Sequence, residues 1–448
     1  MVAQRRTSGG RPFRPAVEEM RWSLTAFQDS ACLCLTVMTT TRRGARAESA
    51  SIPTTVARHG RLVRHGKVRG ILQLLAAAVV VILVSVGAVS GLAVWNLASQ
   101  LKPGVELVGE DSVPDIGAIE GEVNLLLVGS DSGGGNPAYG EREATLNDVT
   151  MLLHISADHS TATVVSFPRD LFVPIPACPR ESGGSYNAMS SQKINTTLSY
   201  GGLACTVLTV EELTGLSIPY AAKIEFDGVI AMSNAVGGVQ VCVGTAINDK
   251  QINFHLAAGE HTLSGHDALQ FVRTRYGVGN GSDLSRISNQ QVFLSSLART
   301  IKSAETLSDP VKVFGLASAA VSNMELSNSL RNLSTMAAIA VALKDINLDE
   351  VSFLRYPGAE GTSGSQSGVL PNRYDAEILF DALASDQPVA VTGNTGSGST
   401  VNPNAPAPEV PSTETPGTTP PGDEEAAVQL PDSIKGQTAG TYTCSKGQ

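Results

Sequence analysis

Apolar residues along the chain fall into three kinds of run, and each kind predicts a different element. The longest run, ILQLLAAAVVVILVSVGAVSGLAVW at residues 71–95, has no charged residue and is long enough to cross a bilayer of about 30 Å as a helix. Shorter runs predict strands at 123–129, 149–156 and 161–167. The remaining pattern predicts helices at 206–216, 226–238, 264–275, 282–304, 310–322, 326–343 and 374–384, and a last strand at 351–356.

This alternation of strands and helices predicts a layered α/β/α domain with a central mixed sheet. We place the domain at residues 122–388, after a stalk at 97–121 that prolines and glycines interrupt. Residues 389–448 are rich in Pro, Thr, Gly and Ser, and a tract of this composition buries too little apolar surface to offset its ordering entropy. We therefore expect a disordered extracellular tail, whose removal leaves the domain folded and active unless Cys444 pairs with Cys242.

The charges divide the chain at the long apolar run. Residues 1–70 contain 13 Lys and Arg against 4 Asp and Glu, whereas residues 71–448 contain 19 against 38. Because basic flanks stay in the cytoplasm, we predict a single-pass cell-membrane protein with a cytoplasmic segment at 1–70, a transmembrane helix at 71–96 and an extracellular remainder. The apolar run and the segment before it are both too long for a cleaved signal peptide.

The basic segment has a second interpretation, as an arm that binds nucleic acid. A membrane flank needs the same charges, however, and no helix-turn-helix pattern accompanies them, so we predict no nucleic-acid partner. Residues 1–37 show no periodicity, and we expect translation to start at Met38.

Six cysteines divide into Cys32 and Cys34 before the apolar run and four after it, which are Cys178, Cys205, Cys242 and Cys444. No metal-binding spacing occurs among the outer four, and in an oxidising compartment they allow three disulfide connectivities. We favour Cys178–Cys205, because these two flank one loop-and-helix segment, which leaves Cys242 for Cys444. The alternative for Cys242 is a small buried hydrophobe between two valines.

Charged residues stand at the ends of the predicted elements. Asp131 follows the first strand and Asp148 begins the second, at an edge where α/β folds bind ligands. Arginines occupy four more junctions, at Arg169, Arg273, Arg275 and Arg286. A guanidinium matches phosphate with a planar fork of donors, and two carboxylates suit a hard cation. Together these residues are typical of a site for a metal-bound pyrophosphate.

Taken singly, each of these residues has a simpler interpretation. An arginine at a helix end is more often a dipole partner or a surface residue, and an aspartate at a strand end is more often a turn former or a cap. Lys193 precedes a helix, where a cation and main-chain N–H groups could meet an anion. Asp283, Arg286 and Gln290 open the helix at 282–304, and the last two share a face because they are four residues apart.

Six segments, in order over residues 123–294, are together much more specific. They are NLLLVGSDS, LNDVTMLLHIS, VVSFPRDLFVPIP, KINTTLSYGG, LTGLSIPYAAKIEFDGVIAMSNAVGGV and LSGHDALQFVRTRYGVGNGSDLSRISNQQVFL. With the membrane anchor and the external domain, this set resembles the LytR-CpsA-Psr family, and the resemblance continues weakly to about residue 385. It implies a bacterial cell-surface phosphotransferase that moves a glycopolymer from a polyprenyl-pyrophosphate carrier to peptidoglycan through a phosphodiester bond.

Carried over residue by residue, the resemblance also implies roles for the charged residues. Asp131 and Asp148 would hold Mg²⁺ or Mn²⁺, and they would be catalytic together with Arg169 and Arg275. The residues that bind the pyrophosphate, or orient those that do, would be Arg169, Lys193, Arg273, Arg275, Asp283, Arg286 and Gln290. An apolar tunnel for the lipid would be lined by the helices at 206–216 and 226–237.

One position departs from the family pattern. The motif usually has an arginine two positions before the second aspartate, and this chain has Leu146 there. Arg142 is in the wrong register to replace it, so catalysis would rely on the other four arginines or act on a different polymer. Two alternative functions are a hydrolase of lipid pyrophosphates, since the acceptor leaves no motif, and a non-catalytic wall-binding or signalling module. The presence of every other motif residue argues against the module.

Overall fold

The computed structural model describes residues 67–109, 121–132, 145–180, 182–303, 306, 308–402, 405 and 427–448. Its helices are α1 (Lys67–Ser99), α2 (Thr197–Thr214), α3 (Phe226–Ala235), α4 (Gly265–Arg273), α5 (Asp283–Lys302), α6 (Pro310–Asn323), α7 (Leu333–Asp345) and α8 (Arg373–Ala384). Short 3-10 helices lie at Ile194–Thr196 and Leu348–Glu350. Most of the predicted cytoplasmic segment, with the Met38 start, Cys32 and Cys34, lies outside the described residues.

The strands fall into one large sheet, one smaller sheet and four pairs. They are β1 (Val123–Ser130), β2 (Asn147–Ile155), β3 (Ala162–Phe167), β4 (Phe172–Ile175), β5 (Met189–Lys193), β6 (Tyr220–Ile224), β7 (Val239–Thr245), β8 (Ile247–Asp249), β9 (Phe254–Leu256), β10 (Gly259–Leu263), β11 (Met324–Leu326), β12 (Val351–Arg355), β13 (Gly358–Ser363), β14 (Gln366–Pro371), β15 (Val389–Ala390), β16 (Ser399–Val401), β17 (Val428–Gln429), β18 (Gly436–Thr438) and β19 (Thr443–Lys446). The pairs are β4–β5, β8–β9, β13–β14 and β15–β17.

Helix α1 contains the one stretch among the described residues, Gly70–Ser99, that is long and apolar enough to cross a membrane, with a mean hydropathy of 2.7. Its large side chains are exposed, for example Leu74 at 74% and Trp95 at 70%. A helix that is apolar all round needs an apolar environment, which agrees with a single membrane anchor. The chain divides into two units after Ala76, and every strand that the structure describes belongs to the unit at residues 77–448.

A seven-stranded mixed sheet, in the order β11-β6-β1-β2-β3-β12-β18, forms the centre of the second unit. Strand β2 is antiparallel to its neighbours β1 and β3, whereas β1 pairs with β6 in parallel and β3 pairs with β12 in parallel. The four strands and seven helices predicted from the apolar pattern are present, although α2 begins nine residues before its predicted range and α7 begins seven residues after the start of its own.

The two faces of this sheet are both covered by helices, because alternate residues of its strands point to opposite sides. Leu126 and Val128 of β1 belong to a core cluster with residues of α2 and α8. Leu125 and Leu127 pack instead against a second cluster, with residues of α5 and α7. The predicted α/β/α layering around a mixed sheet is therefore confirmed.

A four-stranded sheet, in the order β10-β7-β19-β16, lies beside helices α4 and α5. Val241 of β7, Phe271 of α4 and Phe293 of α5 share its core cluster. Both favoured disulfides are present: Cys178–Cys205, and Cys242–Cys444 between directly paired residues of β7 and β19.

The structure corrects the predicted limits of the domain at both ends. Val105 pairs with Ser327 and Leu107 is buried, so this part of the predicted stalk packs on the domain. The prediction of a disordered tail is wrong for its described residues, since strands β15 to β19 lie in 389–448. Buried Leu430, Ile434 and Ala439 supply the apolar anchors that the average composition concealed. Residues 403–404 and 406–426, which hold most of the Pro/Thr run, lie outside the described residues.

Candidate active site

The site begins where β1 ends and β2 starts. The pairing of these strands shifts by one residue between Gly129 and Ser130, which are opposite Val149 and Asn147, so Asp148 is the extra residue of a bulge. A bulge turns a side chain away from the regular alternation of the strand. Asp148 lines a cavity on this edge of the sheet.

Four charged residues from three separate parts of the chain lie together here: Asp148, Arg169, Asp283 and Arg286. Arg169, two residues after β3, donates from Nη1 to Asp148 Oδ1 at 2.7 Å. Arg286 of α5 donates from Nη2 to the main-chain oxygen of Asp148 at 2.7 Å, and the same nitrogen lies 2.7 Å from Asp283 Oδ1. Asp283 Oδ2 accepts from the main-chain N–H of Arg169 at 3.0 Å. The structure thus brings four of the predicted site residues into one cluster.

The cluster is partly buried, and this changes the titration of Arg169. Burial lowers the pKa of Arg169, but the charge and hydrogen bond of Asp148, with the charges of Asp283 and Asp170, outweigh it, so the pKa lies above its ordinary value. Arg169 Nε and Arg286 Nε are buried without a hydrogen-bond partner among the described residues. Arg169 therefore stays cationic, and the two Nε–H groups are donors that a bound anion would satisfy.

Helix α5 begins inside this cluster for local reasons. Ser282 is its N-cap and accepts a hydrogen bond from the main-chain N–H of Ser285, and Asp283 stands in the first turn, where the helix dipole favours negative charge. Arg286 and Gln290 follow on one face, and both line the cavity. Gln290 Nε2 donates to the main-chain oxygen of Val272 at 2.9 Å, which ties α5 to α4.

Two other predicted residues stand at the edge of the cluster. Lys193 Nζ donates to Asp170 Oδ1 at 3.1 Å, and Asp170 Oδ2 lies 3.6 Å from Arg169 Nε. Arg273, at the end of α4, lines the cavity and places its guanidinium 4.1 Å from the ring centre of Phe226. A cation over an aromatic face is held without losing its charge.

Arg275 lies on the loop that follows α4, and the cavity lining does not include it. Its Nε donates to the main-chain oxygen of Gly281 at 3.2 Å. Asp249, a buried residue that the sequence interpretation missed, holds the start of this loop. Its Oδ2 accepts from Thr274 Oγ1 at 2.8 Å and from the main-chain N–H groups of Arg275 and Tyr276 at 3.1 Å each.

Arg355 was also missed. It ends β12, which runs parallel to β3, and so stands one strand from Arg169 on the same edge of the sheet. Burial lowers the pKa of Arg355, and the charges of Asp283 and Glu360 partly offset this. No local pattern marks either Asp249 or Arg355, because their roles depend on which strand lies next to which.

Asp131 is held next to the bulge by the main chain of Leu146. Its Oδ1 accepts from the N–H of Leu146 at 3.1 Å, and its own N–H donates to the oxygen of Leu146 at 3.2 Å. Within the described ranges, no three His, Cys, Asp or Glu side chains form a group that could hold a metal. Asp131, just after β1, and Asp148, in β2, remain the carboxylates predicted to hold Mg²⁺, an ion that commonly completes its shell with water and substrate phosphate.

The cavity beside the cluster has an empty volume of about 1050 Å³, open solvent at its entrance included, and its lining is largely apolar. Its polar and charged lining residues are Ser130, Asp148, Glu225, Ser233, Arg273, Arg286 and Gln290. The apolar lining comes from the sheet and from α3, α4 and α5; it includes Leu127, Met151, Val229, Met232, Leu269, Val272, Phe293, Leu294 and Leu297.

The lining corrects one prediction about the tunnel. Helix α3 contributes to it as expected, but the segment 206–216 does not. Val207 and Val210 of that segment lie instead in the core cluster on the other face of the sheet. The apolar residues of α2 are therefore core, and α4 and α5 take the place that was predicted for it.

Residues 105–382 match the LytR_cpsA_psr family. The chain belongs to this family. Cell wall biosynthesis protein LcpA of Corynebacterium glutamicum is 28% identical over 354 residues, which cover 71% of this chain and 66% of LcpA, slightly less than two thirds of its length. The polyisoprenyl-teichoic acid–peptidoglycan teichoic acid transferase TagT of Bacillus subtilis is 28% identical over 264 residues, covering 56% of this chain and 75% of TagT. A solved structure of TagT bound to LI-WTA has a TM-score of 0.47 at 22% identity and covers 63% of this chain and 98% of that one.

Proposed function

We propose that this family member is a membrane-anchored phosphotransferase that moves a glycopolymer from a polyprenyl-pyrophosphate carrier to peptidoglycan. The observation that carries the proposal is one largely apolar cavity whose polar lining includes Arg273 and Arg286. A polyprenyl pyrophosphate has this same division, with an anionic head and an apolar chain. The 28% identity to a teichoic acid transferase supports the same reaction class.

The arginines supply most of the chemistry in this proposal. A hydroxyl oxygen of the acceptor attacks the sugar-side phosphorus, the bond to the lipid-side phosphate breaks, and polyprenyl phosphate leaves with the electron pair while the hydroxyl proton is released. Negative charge grows on the bridging oxygen, and donors fixed in advance stabilise it. Arg169 and Arg286 are fixed in this way by Asp148 and Asp283.

The remaining predicted residues take supporting roles. Arg273 and Gln290 line the cavity, and Lys193 reaches Arg169 through Asp170. Arg275 would meet the pyrophosphate from its loop. Mg²⁺ or Mn²⁺, held by Asp131 and Asp148, would neutralise charge on the phosphate oxygens when bound.

The test uses the full chain in lipid nanodiscs with a polyprenyl-pyrophosphate-linked glycan, Mg²⁺ and peptidoglycan. Arg169→Ala and Asp148→Asn should each lower kcat/KM by about 10²-fold or more, the scale of losing one preorganised charge partner. Arg180→Ala is the matched control, because Arg180 is exposed and stacks on Tyr186. Release of polyprenyl phosphate that needs no peptidoglycan would identify a hydrolase. Binding without release, with any divalent metal, would identify a non-catalytic module.

The proposal includes a topology, with residues 1–70 in the cytoplasm and the domain outside. The basic charge before α1 and the acidic charge after it support this orientation. A phosphatase reporter fused after residue 120 should be active and one fused at Gly70 inactive. The reverse pattern would contradict the extracellular reaction.

A further inference from the structure

The loop that carries Arg275 is held at its start by Asp249 and further along by the segment Ser445–Gln448. Gly279 donates its N–H to the oxygen of Lys446 at 2.9 Å. The N–H of Gln448 donates to the oxygen of Gly277 at 3.1 Å, and Val278 forms a bridge with Gly447. Main-chain contacts of this kind fix the path of a loop regardless of its side chains.

The last contact of this segment leads directly to Arg275. In the orientation that satisfies its amide, Gln448 donates to the oxygen of Tyr276 at 3.1 Å and accepts from the N–H of Gly281 at 3.0 Å. The oxygen of Gly281 is the acceptor for Arg275 Nε. The guanidinium of Arg275 therefore hydrogen-bonds a residue whose own main chain is fixed by Gln448.

The segment is itself rigidly anchored. It continues β19, which pairs with β7 and β16 and is joined to β7 by the Cys242–Cys444 disulfide. The N–H of Lys446 donates to the oxygen of Gly398 at 2.9 Å. Ser445 Oγ donates to Asn289 Oδ1 on α5, the helix that also carries Arg286. The segment thus ties the Arg275 loop to the helix that enters the charged cluster.

We propose that the segment Ser445–Gln448 is a positioning element that sets the orientation of Arg275 toward the pyrophosphate. This inference rests on the proposed function, in which Arg275 meets the pyrophosphate. A donor contributes to the transition state only when it is held in place before the reaction, so loss of the segment's contacts should lower kcat more than it changes KM.

Gly447→Ala tests the proposal without touching Arg275. A Cβ on Gly447 would lie 2.0 Å from the oxygen and 2.7 Å from the carbon of Ala246, which are main-chain atoms, so the segment must move. Gly244→Ala is the matched control on the adjoining β7, where a Cβ would lie at ordinary distances from Ser445 O (3.4 Å) and Cys444 Cβ (3.5 Å). Lys446→Ala is a second control, because only the main chain of Lys446 contacts the loop.

In the full chain, Gly447→Ala should lower kcat about tenfold or more with little change in KM, and the amides of Gly279 and Gly281 should exchange hydrogen faster. Both controls should match wild type. The decisive comparison is the Arg275→Ala background. There Gly447→Ala should have no further effect on kcat, because a positioning element has nothing left to position. A merely structural role would lower kcat equally in both backgrounds.

Faster exchange with unchanged kcat, or an equal loss of kcat in the Arg275→Ala background, would overturn the proposal. If Gly447→Ala fails to fold, Gln448→Ala gives the same test, because it removes only the contacts with Tyr276 and Gly281. Wild-type turnover decides the proposed function separately. If wild type has no turnover, the proposed function fails and the inference that rests on it fails too, whereas wild-type turnover that Gly447→Ala leaves unchanged overturns the inference alone.

Discussion

Asp283 shows how single residues organise the charged cluster. Its two oxygens hold the main chain of Arg169 and the guanidinium of Arg286, and it is only 4% exposed. A buried charge that loses its partner is strongly destabilising, so replacing Asp283 should lower the stability of the fold as well as release Arg169 and Arg286. Kinetic measurements on Asp283 variants should therefore be accompanied by a measurement of their Tm.

Leu146 is the residue that departs from the family pattern. The variant Leu146→Arg tests whether the missing arginine changes kcat/KM. Both contacts of Leu146 with Asp131 use its main chain, so the substitution keeps them. We expect kcat/KM to stay equal or rise, because the new guanidinium adds a donor beside Asp148. Leu146→Lys, with the same charge but no planar fork, is the matched control. An apolar variant, Leu146→Met, completes the set. A fall in kcat/KM with Leu146→Arg but not with Leu146→Met would show that an apolar group shapes this part of the pocket.

His154 predicts how stability changes with pH. Burial lowers the pKa of His154, and the charge of Asp386 offsets this only in part. The folded state therefore binds a proton less readily than the unfolded state, whose pKa lies near 6.5. The contribution of His154 to the free energy of unfolding is fully present above pH 6.5 and is lost as the pH falls below this value. His154→Gln should reduce the drop in Tm between pH 7.5 and pH 5, whereas His255→Gln, at an exposed site, should not.

At the scale of elements, the apolar residues of helices α3, α4 and α5 have two roles. Some of them pack in the core beside the sheets, and others line the cavity. Periodicity predicted these helices because their apolar residues repeat at helical spacing. It could not tell which apolar face is core and which is cavity, as α2 shows, because both use the same residue types.

The cavity predicts a dependence on the length of the lipid. Met232→Trp and Leu297→Trp add volume to its apolar walls. With a long polyprenyl substrate, KM should rise about tenfold, equivalent to about 1.4 kcal/mol of lost binding, while a short-chain substrate should be unaffected. Val311→Trp, at a residue 77% exposed on α6, is the control. Equal effects on both substrates would place the lipid elsewhere.

At the scale of the whole molecule, the largest closed loop is the one made by Cys242–Cys444, with a sequence separation of 202 residues. Loss of a disulfide in a loop of this size costs about 2–5 kcal/mol. Cys242→Ala/Cys444→Ala should therefore lower Tm clearly under oxidising conditions. Dithiothreitol should bring wild type toward the double variant. A Tm equal to that of wild type would show that the strands hold without the bond.

The sequence predicted the layered fold, because β1, β2 and β3 are apolar runs that only a covered sheet explains. It failed for β18 and β19, since short strands in a polar tract are specified by their partners. For the site, the order of motifs predicted residues that the fold brings together. Their contacts, such as Arg169 with Asp148, and the support from Asp249 depend on strand order and could not be predicted locally.

The position of β18 and β19 late in the chain has a consequence for folding during synthesis. A ribosome releases the chain in order, so β12 and β7 emerge long before residues 436–446, which are their partners. Until then each has an open edge, a surface that invites pairing with other chains. A chain that ends before residue 436 should therefore aggregate more readily than the full chain, because both sheet edges stay open.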